Sequence, residues 1–555
     1  MNARETIRME IMGMTCDHCA TSIENLLNKQ AGISDAKVDY ATGQGECAYD
    51  PAVVSRAQII DTVNATKNYR VKEAPSTQEG NASGNSVGIF DLIIIGGGSA
   101  AFSAAIKAES LGKSTLMVNA GLDFGGTCVN VGCVPSKNLI RAGETAYHAN
   151  HSHFAGVKPT GATIDFAQII RGKNNLVAQL QQKKYIEVVS EFERLTMLTG
   201  WAEFIDEKTI RVDGKTYTAE KFVIATGATT KIPDIPGLAQ IDYLTHKTLF
   251  DLEKKPESLT IMGAGYIGLE IAMAYNRLGV KVRIIEFTDR VLRTQTADIS
   301  AELEKQMRLE GIEILPNFRA VKFEKSDDGV VIHCRCADGS TTRLVEAGKV
   351  VVASGTRPNT GKLGLEKIGV ETEPAGNIRV NEQMQTSQPH IFAAGDVANT
   401  PPFVYTAAYE GRVAIENAFN NAGIRVDYSA LPWVVFTDPQ IAGVGLDEAQ
   451  AAEKKIPFEV SKLDLTNLPR ALAAQDTRGF IKLVRNPETD RLIGARVVAP
   501  EGGELIQALA MAIKYGITVK QLAEDLYPYL TLAEGIKLAA IAFGKDIHKL
   551  SCCAS

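Results

Sequence analysis

The chain is 555 residues long, 45% hydrophobic and 22% charged, which indicates several ordinary globular units rather than one core. Its formal net charge of -6 argues against nucleic acid as a general partner, and no apolar run reaches the roughly 18 residues that a membrane span requires. Residues 1–10 carry charges throughout and lack the apolar core of a secretory signal, so we expect a cytoplasmic protein.

Residues 1–73 have the pattern of a small βαββαβ module. Alternating apolar residues predict strands, and apolar residues spaced three and four apart predict helices. The predicted elements are a strand at 7–12, a helix at 19–28, strands at 37–40 and 46–49, and a helix at 53–65.

Two cysteines stand where the first helix of this module begins, in Gly13-Met14-Thr15-Cys16-Asp17-His18-Cys19. The segment resembles the metal-binding loop of heavy-metal-associated domains, which implies that Cys16 and Cys19 hold one soft metal ion between two thiolates. A zinc site would need four ligands, and no second pair stands nearby to complete it. His18 is interpreted as an exposed neighbour of the site, and we assign no role to Cys47.

Residues 74–88 are predicted to be a flexible linker. Residues 74–86 are rich in Gly, Ser and Asn and carry almost no apolar side chains. Such a segment cannot bury enough surface to offset the entropy of ordering its backbone.

The apolar run 90–95 predicts a parallel strand that is buried on both faces, and it leads into a G-x-G-x-x-A motif and an Ala-rich helix. In this motif Gly96 makes a tight turn, Gly98 lets backbone approach a pyrophosphate, and Ala101 packs the helix against the strand. The residue that ends the next strand, where a carboxylate usually binds the ribose, is Asn119, which can still bind a hydroxyl. We therefore predict a first dinucleotide site here.

A pair of cysteines follows in the segment Gly125-Gly126-Thr127-Cys128-Val129-Asn130-Val131-Gly132-Cys133-Val134-Pro135-Ser136-Lys137. Two thiols five positions apart are expected to close a disulfide across one helical turn. A helix N-terminus or a nearby cation would lower their pKa values and favour the reactive thiolate. Tight pairs of cysteines in a reducing compartment indicate redox chemistry or metal binding.

A second and complete G-x-G-x-x-G motif is formed by Gly263, Gly265 and Gly268. Glu286 ends the strand that follows, and a carboxylate there suits the free 2′-hydroxyl of NADH. Three nearby arginines could instead favour NADPH or could simply face solvent, and the sequence leaves this choice open: Arg283, Arg290 and Arg293.

From about residue 428 the pattern changes to short strands and helices, such as a strand at 480–484 and a helix at 504–515, which predicts an α+β domain. Upstream of it, Cys334 and Cys336 alternate along a predicted strand, so we expect them to share one face of a sheet and to be structural.

From about residue 89 to its C-terminus the chain resembles the pyridine nucleotide–disulfide oxidoreductases, a family of disulfide reductases that also has a mercury-reducing branch. The cysteine segment 125–137 carries this resemblance, together with the segments 224–227 and 391–396. The resemblance implies FAD and a nicotinamide nucleotide as cofactors, and a homodimer in which the active sites are shared between subunits.

The resemblance also implies roles for individual residues. Cys133 should face the flavin and Cys128 the substrate, while Lys137 should lie near flavin N5 and pair with Glu270. Asp396 should bind the ribityl chain of FAD. The further FAD-binding positions that it implies are Gly126, Thr127, Thr226, Gly227 and Val404.

Two features near the C-terminus bear on the substrate. Disulfide reductases of this family place a histidine before a glutamate as an acid–base pair; aligned on Glu534, that position is Tyr529. Without the histidine a leaving thiolate lacks a general acid, which counts against a disulfide substrate. Cys552 and Cys553 on the chain end form a pair of soft ligands that suits Hg(II) and resembles the tail of the mercury-reducing branch.

The sequence therefore predicts reduction of Hg(II) to elemental mercury by NADPH or NADH through FAD and the thiol pair. The ion is expected to pass by thiolate exchange from Cys16/Cys19 to Cys552/Cys553 of the partner subunit and then to Cys128/Cys133. The resemblance adds Tyr185 and Tyr529 to the inner mercury site. Expected partners are Hg(II)–thiol complexes and mercury transport or carrier proteins.

The predicted fold class is α/β, with two Rossmann-like dinucleotide-binding domains and an α+β dimerisation domain, preceded by a small ferredoxin-like βαββαβ metal-binding domain. The predicted boundaries are 1–73 for the metal-binding domain, 74–88 for the linker, 89–232 for the first part of the FAD domain, 233–356 for the NAD(P) domain, 357–427 for the second part of the FAD domain and 428–555 for the dimerisation domain. Two alternatives stay open: a disulfide reductase with a metal-binding appendage, and a Cu(I) carrier.

Overall fold

A computed structural model describes residues 5–12, 17–39, 43–51, 53–64, 70–72 and 86–546. The chain divides into two compact units, Met1–Asn85 and Ser86–Ser555.

The first unit is the expected βαββαβ module, with one four-stranded sheet and two helices. Ile23 and Leu27 lie on the buried face of the first helix, and Ile59 and Val63 on that of the second. The sheet has the strand order β2-β3-β1-β4. Its elements are β1 (Glu5–Met12), α1 (Asp17–Asn28), β2 (Ile33–Asp39), β3 (Gln44–Tyr49), α2 (Arg56–Asn64) and β4 (Arg70–Lys72). Cys47 is fully buried in this core, and burial raises the pKa of its thiol to about 11, so it is an inert apolar side chain.

The second unit opens with the first nucleotide-binding domain. Its first strand begins at Ser86, so residues 86–88 belong to this strand rather than to the linker in which the sequence pattern placed them. The elements of this part are β5 (Ser86–Ile95), α3 (Ser99–Ser110), β6 (Thr115–Asn119), α4 (Gly126–Val131), α5 (Cys133–Asn150), α6 (Phe166–Gln181), a π-helical turn (Gln182–Ile186), α7 (Glu187–Val189), β7 (Leu195–Thr199), β8 (Ala202–Asp206), β9 (Thr209–Val212), β10 (Lys215–Ile224) and β11 (Ala228–Thr230).

The core of this domain is a parallel sheet in the order β7-β6-β5-β10. Residues 92–95 of β5 are 0–3% exposed, as the continuous apolar run predicts for a strand with both faces covered. Because these strands run parallel, their carboxyl ends meet at one edge, where α3 and the segment 119–127 begin.

The second nucleotide-binding domain repeats this plan with a parallel sheet in the order β14-β13-β12-β18. A three-stranded antiparallel sheet, β15-β16-β17, packs beside it. The elements are α8 (His246–Leu249), β12 (Ser258–Met262), α9 (Tyr266–Arg277), β13 (Lys281–Ile285), α10 (Ala297–Leu309), β14 (Glu313–Leu315), β15 (Phe318–Ser326), β16 (Gly329–Cys336), β17 (Thr342–Ala347), β18 (Lys349–Val352) and β19 (Thr356–Pro358).

The chain leaves and re-enters the first nucleotide-binding domain through a two-stranded crossover of β11 with β19. It then adds β20 (Ile391–Ala393), which pairs in parallel with β10, and α11 (Val404–Asn420). The chain thus returns to the first nucleotide-binding domain after it has formed the second.

The last domain is a five-stranded antiparallel sheet in the order β21-β22-β25-β24-β23, with helices packed on it. Its elements are β21 (Trp433–Val435), β22 (Gln440–Gly445), α12 (Glu448–Glu453), β23 (Glu459–Asp464), α13 (Pro469–Ala474), β24 (Phe480–Arg485), β25 (Leu492–Ala499), α14 (Gly502–Lys514), α15 (Val519–Glu524) and α16 (Glu534–Ile541). This is the α+β domain expected from residue 428 onward.

Buried charges join this last domain to the second nucleotide-binding domain. The side chain of Lys482 on β24 is 2% exposed, and its Nζ lies 3.0 Å from both Thr296 Oγ1 and Asp298 Oδ1, at the N-terminus of α10. The equally buried Arg496 on β25 donates to Gln295 Oε1 at 3.2 Å. A buried cation is tolerated only when its hydrogen bonds are made, so these pairs fix the contact between the two domains.

In the part of the chain that the structure describes, no helix combines the length and the apolar character that crossing a membrane requires.

Candidate active site

The two cysteines of the redox segment lie on consecutive helices. Cys128 is in α4 and Cys133 is the first residue of α5, with a sharp break at Gly132 between them. A Cβ at position 132 would lie 2.8 Å from the carbonyl oxygen of Thr127, so only glycine fits this break. The two thiols expected to pair across one helical turn thus lie on two consecutive helices, because Gly132 ends the first helix and the second starts anew.

The break places the thiol of Cys133 at the N-terminus of an 18-residue helix. A hydrogen bond from Cys128, together with the charge of Lys137, lowers the pKa of Cys133 to about 7 despite its burial. The same hydrogen bond and burial raise the pKa of Cys128. The helix N-terminus adds a partial positive charge that favours a thiolate. The pair thus holds one proton near neutral pH, with the negative charge on Cys133.

Lys137 lies one helical turn beyond Cys133 and is fixed from two sides. Its Nζ donates to Glu270 Oε2 at 2.7 Å and lies 4.5 Å from the ring centroid of Phe436. The other oxygen of Glu270, which is 7% exposed, accepts from the backbone N–H of Phe436 at 3.0 Å. Three domains therefore meet at this ammonium group.

Replacing Lys137 by methionine is expected to move the ionisation of Cys133 to higher pH. In the unaltered reduced protein, alkylation by iodoacetamide should rise with a midpoint near pH 7, because the thiolate forms above its pKa of about 7 and is lost below it. Without the ammonium group the midpoint should rise by about one pH unit. Lys520→Met, which removes a 75% exposed lysine on α15, serves as control. An unchanged midpoint in Lys137→Met would contradict the electrostatic role of Lys137.

Tyr185 forms one wall beside the thiol pair. It lies in the π-helical turn, its ring meets Phe102 edge-on with centroids 5.0 Å apart, and its hydroxyl lies 3.2 Å from Ser99 Oγ. A Cβ on Gly125, the residue before the redox helix, would lie 3.6 Å from this ring. Burial and the nearby thiols raise the pKa of the Tyr185 hydroxyl, so it is a neutral hydrogen-bonding group.

A cavity of about 730 Å³ lies at the carboxyl ends of the first parallel sheet. Gly126 has φ +67°, and a Cβ there would lie 2.6 Å from the Cα of Gly98. Two stretches of glycine backbone thus approach closely in the cavity wall, which leaves room for a diphosphate beside them. The predicted cofactor residues that line it are Gly96, Gly98, Asn119, Gly126, Thr127, Thr226 and Gly227. A dinucleotide such as FAD fits this cradle.

Four other residues assigned to FAD stand outside the lining of this cavity. Ala101 is fully buried in α3 and packs in the core, as its place in the motif predicts. Lys137 belongs to the thiol site. Asp396 is half-buried, and burial raises the pKa of its carboxyl. Val404 is the first residue of α11 and lines a neighbouring cavity with Tyr185.

A second cavity, of about 600 Å³, lies at the second glycine motif. Gly263 and Gly265 line it, whereas Gly268 packs its α-carbon against the carbonyl of Gly263, which is the helix–strand contact expected of the third glycine. Glu286 also lines this cavity and is 6% exposed. Its Oε2 accepts from the N–H of Ala264 at 2.7 Å, so the carboxylate is fixed against the motif.

The three arginines near Glu286 are all paired with acidic side chains. Arg283 donates to Glu313 at 2.6 Å, and Arg290 and Arg293 both contact Asp289. None of the three is among the residues around this cavity. Arg293 is exposed, as the solvated-face interpretation expects, whereas Arg283 and Arg290 are half-buried. Arg319, by contrast, does line this cavity.

Several predicted residues lie outside the described residues or away from the thiol pair. Cys16, Cys552 and Cys553 are outside the described residues, and of Cys19 only the backbone, in α1, is described. Tyr529 lies in the loop between α15 and α16 and is 52% exposed. Cys334 is buried and Cys336 half-buried on β16, in the structural setting expected of them.

Sequence reasoning missed the residues that hold the site together. Phe436 contacts Lys137 and Glu270 from the last domain, and Ser99 and Phe102 position Tyr185 from α3. These contacts join segments between 80 and 300 residues apart, and no local pattern signals them. Ser99 alone carried a signal, because it stands inside the first glycine motif.

Comparisons with known proteins cover the whole chain. Residues 90–411 match the family pyridine nucleotide-disulphide oxidoreductase, residues 431–540 its dimerisation domain and residues 8–69 the heavy-metal-associated domain. A mercuric reductase of Staphylococcus aureus is 39% identical over 551 residues, which is 99% of this chain and 100% of that protein. A mercuric reductase of Streptomyces lividans is 43% identical over 471 residues, or 84% of this chain and 98% of that protein.

Among solved structures, the Cu(II) complex of the HOCl-induced flavoprotein disulfide reductase RclA from Escherichia coli matches with a TM-score of 0.74 and 26% identity. The match covers 82% of this chain and 99% of that one.

Proposed function

The chain belongs to the pyridine nucleotide-disulphide oxidoreductase family, and we propose that within this family it reduces Hg(II) to elemental mercury with electrons from a nicotinamide nucleotide. The observation that carries the proposal is the extent of the similarity to a mercuric reductase, 99% of the chain. A match of this extent takes in both the metal-binding module and the thiol pair. The first alternative drawn from the sequence, a disulfide reductase with an appended module, explains the core but not this combination.

The residues around the thiol pair suit this chemistry. FAD, when bound, supplies the two-electron relay between the nicotinamide and the thiol site. Cys128 and Cys133 offer the soft ligands that Hg(II) prefers, and Cys133, with its pKa lowered to about 7, is ionised in a substantial fraction of the molecules at neutral pH. Lys137 stabilises that thiolate and is itself held by Glu270. Reduction of the bound ion consumes two electrons, frees both sulfurs and releases an uncharged product.

Delivery of the ion would use the remaining cysteines. We propose that Cys16 and Cys19 capture Hg(II) from small thiols or carrier proteins, and that Cys552 and Cys553 pass it on from the partner subunit of a homodimer. The last domain, which matches the family's dimerisation domain, supports the dimer. Tyr529, half exposed in that domain, would complete the mercury site from the partner, opposite Tyr185.

The test of the proposal is Hg(II)-dependent oxidation of the nicotinamide by the FAD-loaded protein in excess small thiol, with collection of mercury vapour. Glutathione disulfide, lipoamide and Cu(II) are run in parallel, because the structural relative RclA is a disulfide reductase whose complex contains Cu(II). Deletion of residues 1–79 should preserve turnover. Oxidation driven by a disulfide or by copper but not by Hg(II) would replace the proposal, and loss of all function on deletion would favour a metal carrier.

We further propose NADH as the preferred nucleotide. The carboxylate of Glu286 lines the second cavity and would repel a 2′-phosphate. Arg283, Arg290 and Arg293 are paired with acidic side chains outside the lining, so Arg319, which does line the cavity, is the cation that would have to offset this repulsion. Glu286→Gln should shift the ratio of kcat/KM for NADPH over NADH upward about tenfold, which corresponds to about 1.4 kcal/mol. Glu253→Gln, which alters an exposed carboxylate of the same domain outside the cavity lining, should leave the ratio unchanged. A wild-type preference for NADPH would overturn this assignment without touching the mercury chemistry.

A further inference from the structure

Trp201 is an exposed aromatic residue in the wall of the first nucleotide cavity. It is one of only two tryptophans in the chain, and 59% of its surface is accessible. An indole left in water forgoes the stabilisation that burial of so large an apolar side chain brings. Because it is so exposed, Trp201 contributes little to the core of the protein, and the question is which ligand packs against the indole.

The sheet topology places Trp201 at a defined point of this cavity. Strands β6 and β7 pair in parallel with Asn119 opposite Thr199, and the N–H of Gly200 donates to the carbonyl of Asn119 at 2.9 Å. Asn119 ends the strand whose last residue meets the ribose in this type of domain. Trp201 follows one strand further out, so it lies beyond the ribose position, on the side where the base of the dinucleotide extends.

The surroundings of the indole hold it in place. A Cβ on Gly121, which has φ +85°, would lie 3.7 Å from the indole Cη2, so the loop after β6 packs against the edge of the ring. Lys362 Nζ lies over one face of the indole, 4.6 Å from the ring centroid, a cation–π contact that restrains the ring. Gly121 and Lys362 both line the same cavity.

We propose that Trp201 is the stacking platform for the adenine ring of FAD, with Lys362 and Gly121 fixing the indole for that contact. The inference rests on FAD as the cofactor of the proposed function. A flat base gains from stacking on an aromatic face whatever its hydrogen bonds, and the contact would let the site select FAD over FMN, which lacks the adenine half.

The first test is FAD binding to the apoprotein, measured by flavin absorbance after ultrafiltration. Trp201→Leu should raise the Kd for FAD about tenfold and leave the Kd for FMN unchanged, and Trp201→Phe should recover most of the loss. Phe154→Leu, which alters a 45% exposed aromatic residue outside the cavity lining, is the matched control. Equal FAD affinity in wild type and Trp201→Leu would overturn the proposal, as would equal weakening of FAD and FMN.

The second test observes the contact directly and does not depend on turnover. In a Trp433→Phe background Trp201 is the only indole, and ADP, which carries adenine without a flavin, is added to the apoprotein. Quenching of the tryptophan emission that saturates with ADP supports stacking, and no change in emission on saturation with ADP overturns it. If Hg(II) turnover fails while FAD binds and these results hold, the proposed mercury chemistry falls and the adenine platform stands.

Discussion

Cys133→Ala is expected to lower Hg(II)-dependent nicotinamide oxidation by at least about a thousandfold, because the altered protein keeps both cofactor sites but loses the only thiolate poised at the start of α5. Cys128 alone cannot substitute. The substitution removes the hydrogen bond to Cys133 that raises the pKa of Cys128, but burial still raises it, and a single sulfur cannot hold Hg(II) between two thiolates. The measurement is the steady-state rate with FAD loading verified by absorbance.

The matched control for this prediction is Cys336→Ala, which removes a half-buried thiol from β16 in the second nucleotide-binding domain. It should retain the wild-type rate. If Cys133→Ala kept more than about a tenth of the wild-type rate, the thiol pair would not be the site of reduction. Cys552 and Cys553 would then be the next candidates for the site of mercury reduction.

Arg277→Met is expected to lower the free energy of unfolding by about 3–5 kcal/mol, since it strips the cation from a buried network. The Arg277 side chain is 1% exposed, donates to both oxygens of Glu310 at 2.6 and 2.8 Å and lies 2.9 Å from Asp438. Its guanidinium also stacks on Tyr147 with 4.2 Å to the ring centroid. Urea denaturation followed by tryptophan fluorescence measures the effect.

Arg379→Met provides the comparison, because Arg379 also contacts two carboxylates, Glu371 and Glu373, but is 53% exposed. Water replaces the lost contacts there, so the urea midpoint should not change measurably. Similar losses of unfolding free energy in Arg277→Met and Arg379→Met would show that burial does not set the strength of these ion pairs. Arg277→Lys tests the geometry, since a lysine keeps the charge but cannot bridge both oxygens of Glu310 in the same way.

The sequence predicted those parts of the fold whose elements depend on residues that are close together in the chain. The apolar run at 90–95 and the two glycine motifs each encode a strand, a turn and a helix within about 25 residues, and both cavities open at these motifs. The βαββαβ module followed from alternation and helical spacing alone. Local patterns suffice there because each element buries one face defined by its own residues.

The arrangement of the active site could not be predicted in the same way. Gly132 shows no sign in the sequence that it splits the redox segment into two helices; the crowding by Thr127 is visible only in three dimensions. The support of Glu270 by Phe436 joins residues 166 positions apart. Trp201 belongs to no sequence motif, and its position at the cavity follows only from the pairing of β6 with β7.

The buried cations at the domain boundary restrict how this protein can evolve or be re-engineered. A chimera that received the second nucleotide-binding domain of a relative would keep Lys482 and Arg496 with their partners Glu448 and Asp447 from the same domain. It could lose Gln295, Thr296 and Asp298, the acceptors from the other side of the boundary. A buried cation that loses part of its hydrogen bonds would destabilise the hybrid. Nucleotide preference in this lineage is therefore more accessible through individual changes around Glu286 than through recombination of whole domains.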